Sequence, residues 1–325
     1  MHNDVTSLYR AMGPLNMLRR LYPDVEAIMG GVNVRDYDWH VLRGFDVLFV
    51  QRPSHPNHVN IVEMAKQNKI PVWIDFDDDL LAIPPDNPSY AEYNQDSYKM
   101  SIVQALQMAD VVTVSTNHLK QQYDKYNKNI VVIQNALDDY LLKPRILQPQ
   151  RRPIIMWRGS NTHLGDIFEF RKEILQVYKE FPQWQWFFLG WNPWPLTQEM
   201  KPGTFGTATW ASYPDFMNLL QNHCAPIHIV PLKDNVFNRS KSNISWLEGT
   251  FAGSAVLTPD WEEWDQPGAL TYSNPSEFQS GLTRMINGTA ELRKRQEESM
   301  VQINERFLLS KINPLRYDVL RRLVD

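Results

Sequence analysis

Pro231-Leu232-Lys233-Asp234-Asn235-Val236-Phe237-Asn238-Arg239-Ser240-Lys241-Ser242-Asn243-Ile244-Ser245-Trp246-Leu247-Glu248-Gly249-Thr250-Phe251-Ala252-Gly253-Ser254-Ala255-Val256-Leu257-Thr258-Pro259-Asp260 decides how this chain folds. An apolar strand over 227–232 runs into a polar loop, a helix follows, and a second strand covers 255–258. Strand, helix and strand in that order build parallel α/β sheets, whose ligands gather where strands end and helices begin. Lys241 is expected near the helix start and Glu248 seven residues on. Seven residues are almost two turns, so both side chains should leave one face, roughly 10 Å apart. A cation at the positive end of a helix suits a phosphate. A carboxylate two turns deeper suits sugar hydroxyls, which donate hydrogen bonds to it. The layout fits a nucleoside diphosphate held lengthwise, although the same pair also occurs on plain solvated helix faces.

Alternation of strand and helix signals runs through both sides of the chain. Before the middle, strands are expected over 45–50, 71–74, 111–114 and 130–133, with helices over 58–67, 97–108 and 116–123. Proline-rich, charged residues from 138 to 153 read as a linker. Beyond it, strands are expected over 154–157, 184–189 and 227–230, helices over 168–181 and 214–221, and a largely helical region from Pro275. A Rossmann-type domain opens on a strand, yet residues 4–21 read as loop and helix, with Asp4 as a candidate N-cap. The first strand is therefore expected to be missing or rudimentary, or another segment fills its place.

Composition narrows the function classes. At 325 residues the chain exceeds what one core usually supports, so two domains are expected. A net charge of −4 gives no global case for nucleic acid, which leaves only a local basic stretch, Lys143 to Arg152. Cys224 is the only cysteine, so no intrachain disulfide and no cysteine-based metal site can form, which fits a reducing, cytoplasmic setting. No signal peptide is evident, and no apolar run approaches the ~20 residues of a membrane helix. Eleven Trp residues are weak support for sugar stacking. Nothing in the chain sets an oligomeric state.

Four clusters could carry chemistry. Arg158-Gly159-Ser160-Asn161-Thr162-His163 follows the strand over 154–157. A strand ending in a glycine turn exposes backbone N–H groups to phosphate, and Arg158 adds a bidentate donor. His163 reads equally as a cleft or a surface residue. Asp75-Phe76-Asp77-Asp78-Asp79 ends the strand over 71–74, where carboxylates either meet cations and donors or face solvent. Asp77 or Asp78 could orient an acceptor hydroxyl or act as base. Arg52, at the end of the strand over 45–50, could face the same cleft, and His55 with His58 reads as a strand-to-helix connection rather than a metal site. Asp4, Ser7 and Arg10 precede Gly13-Pro14, and their spacing equally fits helix capping.

Phe237-Asn238-Arg239-Ser240-Lys241-Ser242, Leu247-Glu248 and Ala252-Gly253 resemble the donor-site segment of GT-B glycosyltransferases, in particular the retaining ones. Ala109 to Ser115, then Ile133-Gln134-Asn135, resembles the end of their N-terminal domain. Their donor motif carries two Glu residues; Glu248 matches the second, and Lys241 stands in the slot of the first. The resemblance implies two Rossmann-like domains facing a central cleft: an acceptor-side domain over 1–140, a linker over 141–153, and a nucleotide-sugar-binding domain over 154–325. It implies transfer of a hexosyl or pentosyl group from a UDP- or GDP-sugar co-substrate to a hydroxyl, with retention and with no metal or other cofactor. Donor contacts would come from Arg158, Gly159, Ser160, Asn238, Lys241, Ser242 and Glu248. Catalysis would rest on Asp77, Asp78, Arg158 and Lys241, with Arg10, Arg52 and Asp75 on the acceptor side. The acceptor stays open between a glycan, a protein side chain, a small metabolite and a hydroxylated base in DNA. Two alternatives stand beside this: a degenerate GT-B protein that binds without turnover, and a Mg-dependent phosphatase of the haloacid dehalogenase type, suggested by the Asp-x-Asp strand end.

Overall fold

The computed structural model describes residues 5–28, 30, 42–142, 152–209 and 212–325. The expected linker falls almost wholly on 143–151, outside the described residues, as do Asp4 and all of the basic stretch except Arg152.

Among the described residues ten strands form two sheets, and every pairing is parallel. The first sheet holds β1 (Leu48–Gln51), β2 (Val72–Phe76), β3 (Val111–Val114) and β4 (Ile130–Val132), in that spatial order. Parallel strands buried on both faces read as continuous apolar runs, and this sheet follows that rule. Three successive crossovers step the same way across it. Right-handed crossovers then put all three connecting helices on one face. There Val72, Ile74, Phe76, Val112 and Val114 pack with Val62, Ala65, Ile102, Ala105 and Leu106. Trp73 and Val111 point to the other face, which the two ends of the chain cover through Tyr9, Met17, Ile312 and Val319. The last helix, Leu309–Val324, lies against the helix Gly13–Leu21: Asn313 Nδ2 donates to the Pro14 carbonyl at 2.8 Å, and Tyr22 stacks on Tyr317 at 3.7 Å. The end of the chain thus returns to the first sheet. Among the described residues no strand precedes Leu48.

The second sheet holds β5 (Ile154–Gly159), β6 (Gln185–Gly190), β7 (Phe205–Thr209), β8 (Ile227–Ile229), β9 (Ala255–Pro259) and β10 (Leu270–Tyr272), in the order β10-β9-β8-β5-β6-β7. The chain leaves β5 in one direction and returns to its other side at β8. Such a reversal opens a crevice at the carboxyl ends of the two central strands. This is the doubly wound order of a Rossmann-like unit, so the α/β class and the two parallel sheets agree with expectation.

Two expected helices are broken. The helix over 168–181 becomes Leu164–Glu169 and Arg171–Glu180, because Phe170 leaves helical geometry to pack against Tyr272 and Phe278. The helix after β8 becomes Val236–Arg239 and Ile244–Phe251, separated by residues 240–243. No described helix is long and apolar enough to cross a membrane.

Candidate active site

The crevice of the second sheet faces the carboxyl ends of the first. A cavity of about 520 Å³ lies between them. From the first sheet's side it is lined by Tyr9, Arg52, Asp77 and Asp78, and from the second by Arg158, Ser160, His163, Lys241 and Ser242.

The acidic run at the end of β2 is sorted by strand alternation. Asp75 points to the face where Arg10 enters, and both side chains are buried. Arg10 grips it with two bonds, Nε to Oδ1 at 2.9 Å and Nη2 to Oδ2 at 2.7 Å, and Thr113 Oγ1 donates to Oδ2 at 2.6 Å. Arg10 Nη1 also donates to the Ile133 carbonyl and to Asn135 Oδ1. The expected acceptor-side role of Arg10 and Asp75 is therefore corrected: the pair is saturated inside the first sheet's packing and is not presented to a ligand.

Asp77 and Asp78 do reach the cavity. Arg52 leaves β1 in the left-handed region, φ +49°, with its N–H donating to the Asp75 carbonyl. That turn lays its guanidinium across Asp77 Oδ1 and Asp78 Oδ2. Burial pushes the Asp77 carboxyl up to about 6, with Arg52 pulling the other way. Burial would raise Asp78 too, but Lys241 and Arg52 outweigh it and hold it below the ordinary carboxylate range. Asp79 turns inward, accepts from Leu81 N–H, and is raised to about 6 by burial. His55 and His58 cap the helix Pro56–Gln67 through their Nδ1 atoms, and no metal-like cluster occurs among the described residues.

On the other wall, β5 delivers Arg158 to the floor. Gly159 is required beside it: a Cβ there would lie 2.3 Å from the Trp157 ring, so the glycine serves packing and does not line the cavity. Ser160 caps the turn that follows through Thr162 N–H. Arg158 Nε stands 2.7 Å from Glu248 Oε2, close enough for an ion pair although the N–H does not point at the oxygen, and Nη2 has no acceptor. Glu248 Oε1 accepts from Tyr9 Oη at 2.8 Å, and Tyr9 is also 2.6 Å from Tyr213 Oη. Glu248 is 1% exposed, and burial raises its carboxyl against the opposing pull of Arg158 and Tyr9. This corrects its expected ribose contact: Glu248 sits beneath the floor and anchors Arg158.

Lys241 is likewise not a helix residue. It belongs to the segment 240–243 between two short helices, so the two-turn argument pairing it with Glu248 fails. The segment faces the first sheet instead. Lys241 Nζ is 3.5 Å from Asp78 Oδ1, Ser242 Oγ accepts from Asn135 Nδ2 at 2.7 Å, and Thr116 Oγ1 donates to the Ser240 carbonyl at 3.0 Å. Asn238 is buried rather than open to a donor. Its Nδ2 donates to Asp166 Oδ1 at 2.6 Å and to the Lys233 carbonyl at 2.9 Å. Asp166 Oδ2 in turn lies 2.9 Å from His163 Nδ1.

Sequence reasoning did not single out Tyr9 or Asp166. Tyr9 meets partners 204 and 239 residues away, which no local pattern reveals. The His163–Asp166 spacing of three at a helix start was a readable signal. Overall the cavity is cationic on the second sheet's side, through Arg158 and Lys241, and carries ionisable carboxyls on the first.

No protein-family model matches the chain, and no curated protein matches it in sequence. Solved structures do match it in shape. A glycosyltransferase from Rickettsia africae superposes with a TM-score of 0.64 at 13% identity, covering 96% of this chain and 88% of that one. Sucrose-phosphate synthase from Thermosynechococcus elongatus gives 0.63 at 14%, covering 88% and 75%. An α,α-trehalose-phosphate synthase (UDP-forming) from Burkholderia vietnamiensis gives 0.62 at 12%, covering 88% and 76%. The fold is that of the GT-B glycosyltransferases.

Proposed function

We propose that this protein transfers a sugar from a nucleoside diphosphate sugar to a hydroxyl of a glycan acceptor. The observation that carries this reading is the pair of cations, Arg158 and Lys241, on the switch-point side of a cavity large enough for a nucleotide sugar. The Arg158 guanidinium, which lines the cavity, would take a phosphate oxygen, and Lys241 would exchange Asp78 for another. Both would stabilise charge growing on the departing diphosphate, the electrostatic contribution that usually dominates such catalysis. With two cations supplied by the chain, the transfer proceeds without a metal ion. Retention of anomeric configuration follows the resemblance of the donor segment. Asp77, held by Arg52, would accept the hydrogen bond of the incoming hydroxyl, which for retention approaches the anomeric carbon on the face the diphosphate leaves. UDP is the first choice of carrier, since the similar trehalose-phosphate synthase is described as UDP-forming. A glycan takes precedence over DNA because similar solved structures carry sugars beside UDP, fondaparinux and α-GlcNAc-glycerol in one and GlcNAc in another.

A thermal-shift panel of UDP- and GDP-sugars, run with and without EDTA, tests this. Ligand at 100 times its dissociation constant stabilises by about 2.7 kcal/mol. A shift with one nucleotide series, unchanged by EDTA and smaller in Lys241→Met, is expected. No shift with either series would overturn the donor site. A shift that EDTA abolishes would overturn the metal-free reading.

A further inference from the structure

His163 is held by a chain of polar contacts that the donor site described so far does not use. Its Nδ1 is 2.9 Å from Asp166 Oδ2. Asp166 is buried, and its other oxygen accepts from Asn238 Nδ2 at 2.6 Å and from Lys233 N–H at 3.1 Å. Two segments, one following β5 and one following β8, thus meet at one carboxylate whose remaining oxygen faces one imidazole. A surface histidine needs no such support. Asp166, as acceptor, keeps the imidazole proton on Nδ1, which leaves Nε2 as the atom for the cavity that His163 lines.

Position on the wall decides which reactant Nε2 meets. His163 rises from the loop directly after Arg158, on the same side as Lys241, whereas Asp77 comes from the opposite sheet. The phosphate-facing side of the cleft therefore carries three nitrogen groups. We infer that His163 takes up a proton when a nucleoside diphosphate sugar binds and donates a hydrogen bond from Nε2 to the departing diphosphate oxygen, with Asp166 and Asn238 as its positioning residues. This rests on the donor-site reading above. As the anomeric carbon–oxygen bond breaks, the acceptor hydroxyl oxygen bonds to that carbon and gives its proton to Asp77, while the electron pair of the broken bond stays on the diphosphate oxygen, which gains one unit of negative charge opposite the imidazolium.

The charges around the ring suit this exchange. Without ligand, burial first, then Lys241 and Arg158, lower the His163 imidazole below its ordinary range, while Asp166 pulls it up. Asp78 faces it across the cleft, and Asp86 approaches the same helix start beside Gly165, paired to Lys233. A bound diphosphate neutralises the two cations and reverses their effect on the ring. Donor affinity should then rise as pH falls from the bound-state pKa to the lowered free-state pKa, and flatten below it.

The test is calorimetry on the full chain with UDP-glucose, UDP-N-acetylglucosamine and GDP-mannose, in two buffers of different ionisation enthalpy. The diphosphate diester of these probes does not titrate near neutrality, so proton uptake reports the protein. The parent is expected to take up as much as one proton per donor bound near pH 7. His163→Gln should bind with no uptake, and its affinity should lose the pH slope, which in the parent approaches tenfold per pH unit. Asp166→Asn should move the uptake window to lower pH. Donor binding by the parent without uptake, or uptake that persists in His163→Gln, overturns the inference while leaving the donor site standing. Failure of every nucleotide sugar to bind overturns the donor site and this inference with it.

Discussion

Lys241 Nζ, on the second sheet's side, stands 3.5 Å from Asp78 Oδ1 at the end of β2 in the first sheet. The contact crosses the cavity at the place proposed for the diphosphate. A carboxylate oxygen there occupies the position a phosphate oxygen would take, so donor binding must exchange one anion for another. Lys241→Met should weaken nucleotide-sugar binding about 10- to 100-fold, the loss of one charge-assisted hydrogen bond. Both side chains are partly exposed, so the same change should alter stability by less than about 1 kcal/mol. Isothermal titration beside urea unfolding separates the two effects. Unchanged affinity would mean Lys241 serves only as a tether to Asp78.

Arg10 and Asp75 should respond in the opposite way. Replacing Arg10 by Met leaves a buried carboxylate with Thr113 as its remaining side-chain donor. Breaking a buried pair from one side costs about 3–5 kcal/mol, a large share of an ordinary domain's stability. Urea midpoints should fall strongly, and donor affinity of whatever remains folded should match the parent. A variant that unfolds normally but loses activity would return Arg10 to the acceptor side.

In the proposed transfer, Asp77 sets the acid limb of the rate. Its carboxyl is raised from the ordinary range to about 6 by burial, against the pull of Arg52. The sign follows from the direction of the shift. Protonation of this group favours the folded state below its ordinary pKa, and that contribution is lost as pH rises through about 6. Transfer needs the ionised form to receive the acceptor's proton, so the rate should fall about tenfold per unit below pH 6. Asp77→Asn should lower turnover by about 10²–10⁴ and flatten that limb. A limb that persists in the variant would assign it to another group.

How much of this was legible in the sequence follows from how local each signal is. Arg158, Asp77 and Asp78 lie just after apolar strands, and a parallel strand's carboxyl end is where cleft residues fall. β7 and β10 were missed because Phe205-Gly206-Thr207-Ala208-Thr209 and Leu270-Thr271-Tyr272 are short, mixed and half exposed at sheet edges. Glu248 was misplaced by an assumed continuous helix. Asn235 caps Val236–Arg239 as its own short helix, and Ser240 turns toward Thr116, a partner 124 residues away. The Arg10–Asp75 pair, 65 residues apart, is equally invisible to periodicity.

Glu263 ties the two sides together in a pH-dependent way. It is 9% exposed, with Gln134 Nε2 3.3–3.4 Å from its two oxygens, and Asn117 Nδ2 bonds the neighbouring Glu262 at 2.7 Å. Gln134 and Asn117 belong to the first sheet's side, Glu262 and Glu263 to the second. Burial, opposed by the Gln134 contact and by Arg306 and reinforced by Glu262, pushes the Glu263 carboxyl up to about 8, so it is neutral at pH 7. A raised carboxyl stabilises the fold fully below its ordinary pKa, and that contribution disappears as pH rises through about 8. Stability should therefore decline by about 1 kcal/mol per unit between roughly pH 5 and 8, then level off. Glu263→Gln keeps the amide contact and removes the titration, so its stability should lack this slope and exceed the parent's above pH 8. Urea unfolding from pH 5 to 9 on both proteins checks it. Parallel pH profiles would show that Glu263 ionises freely and that the contact with Gln134 opens before the protein unfolds.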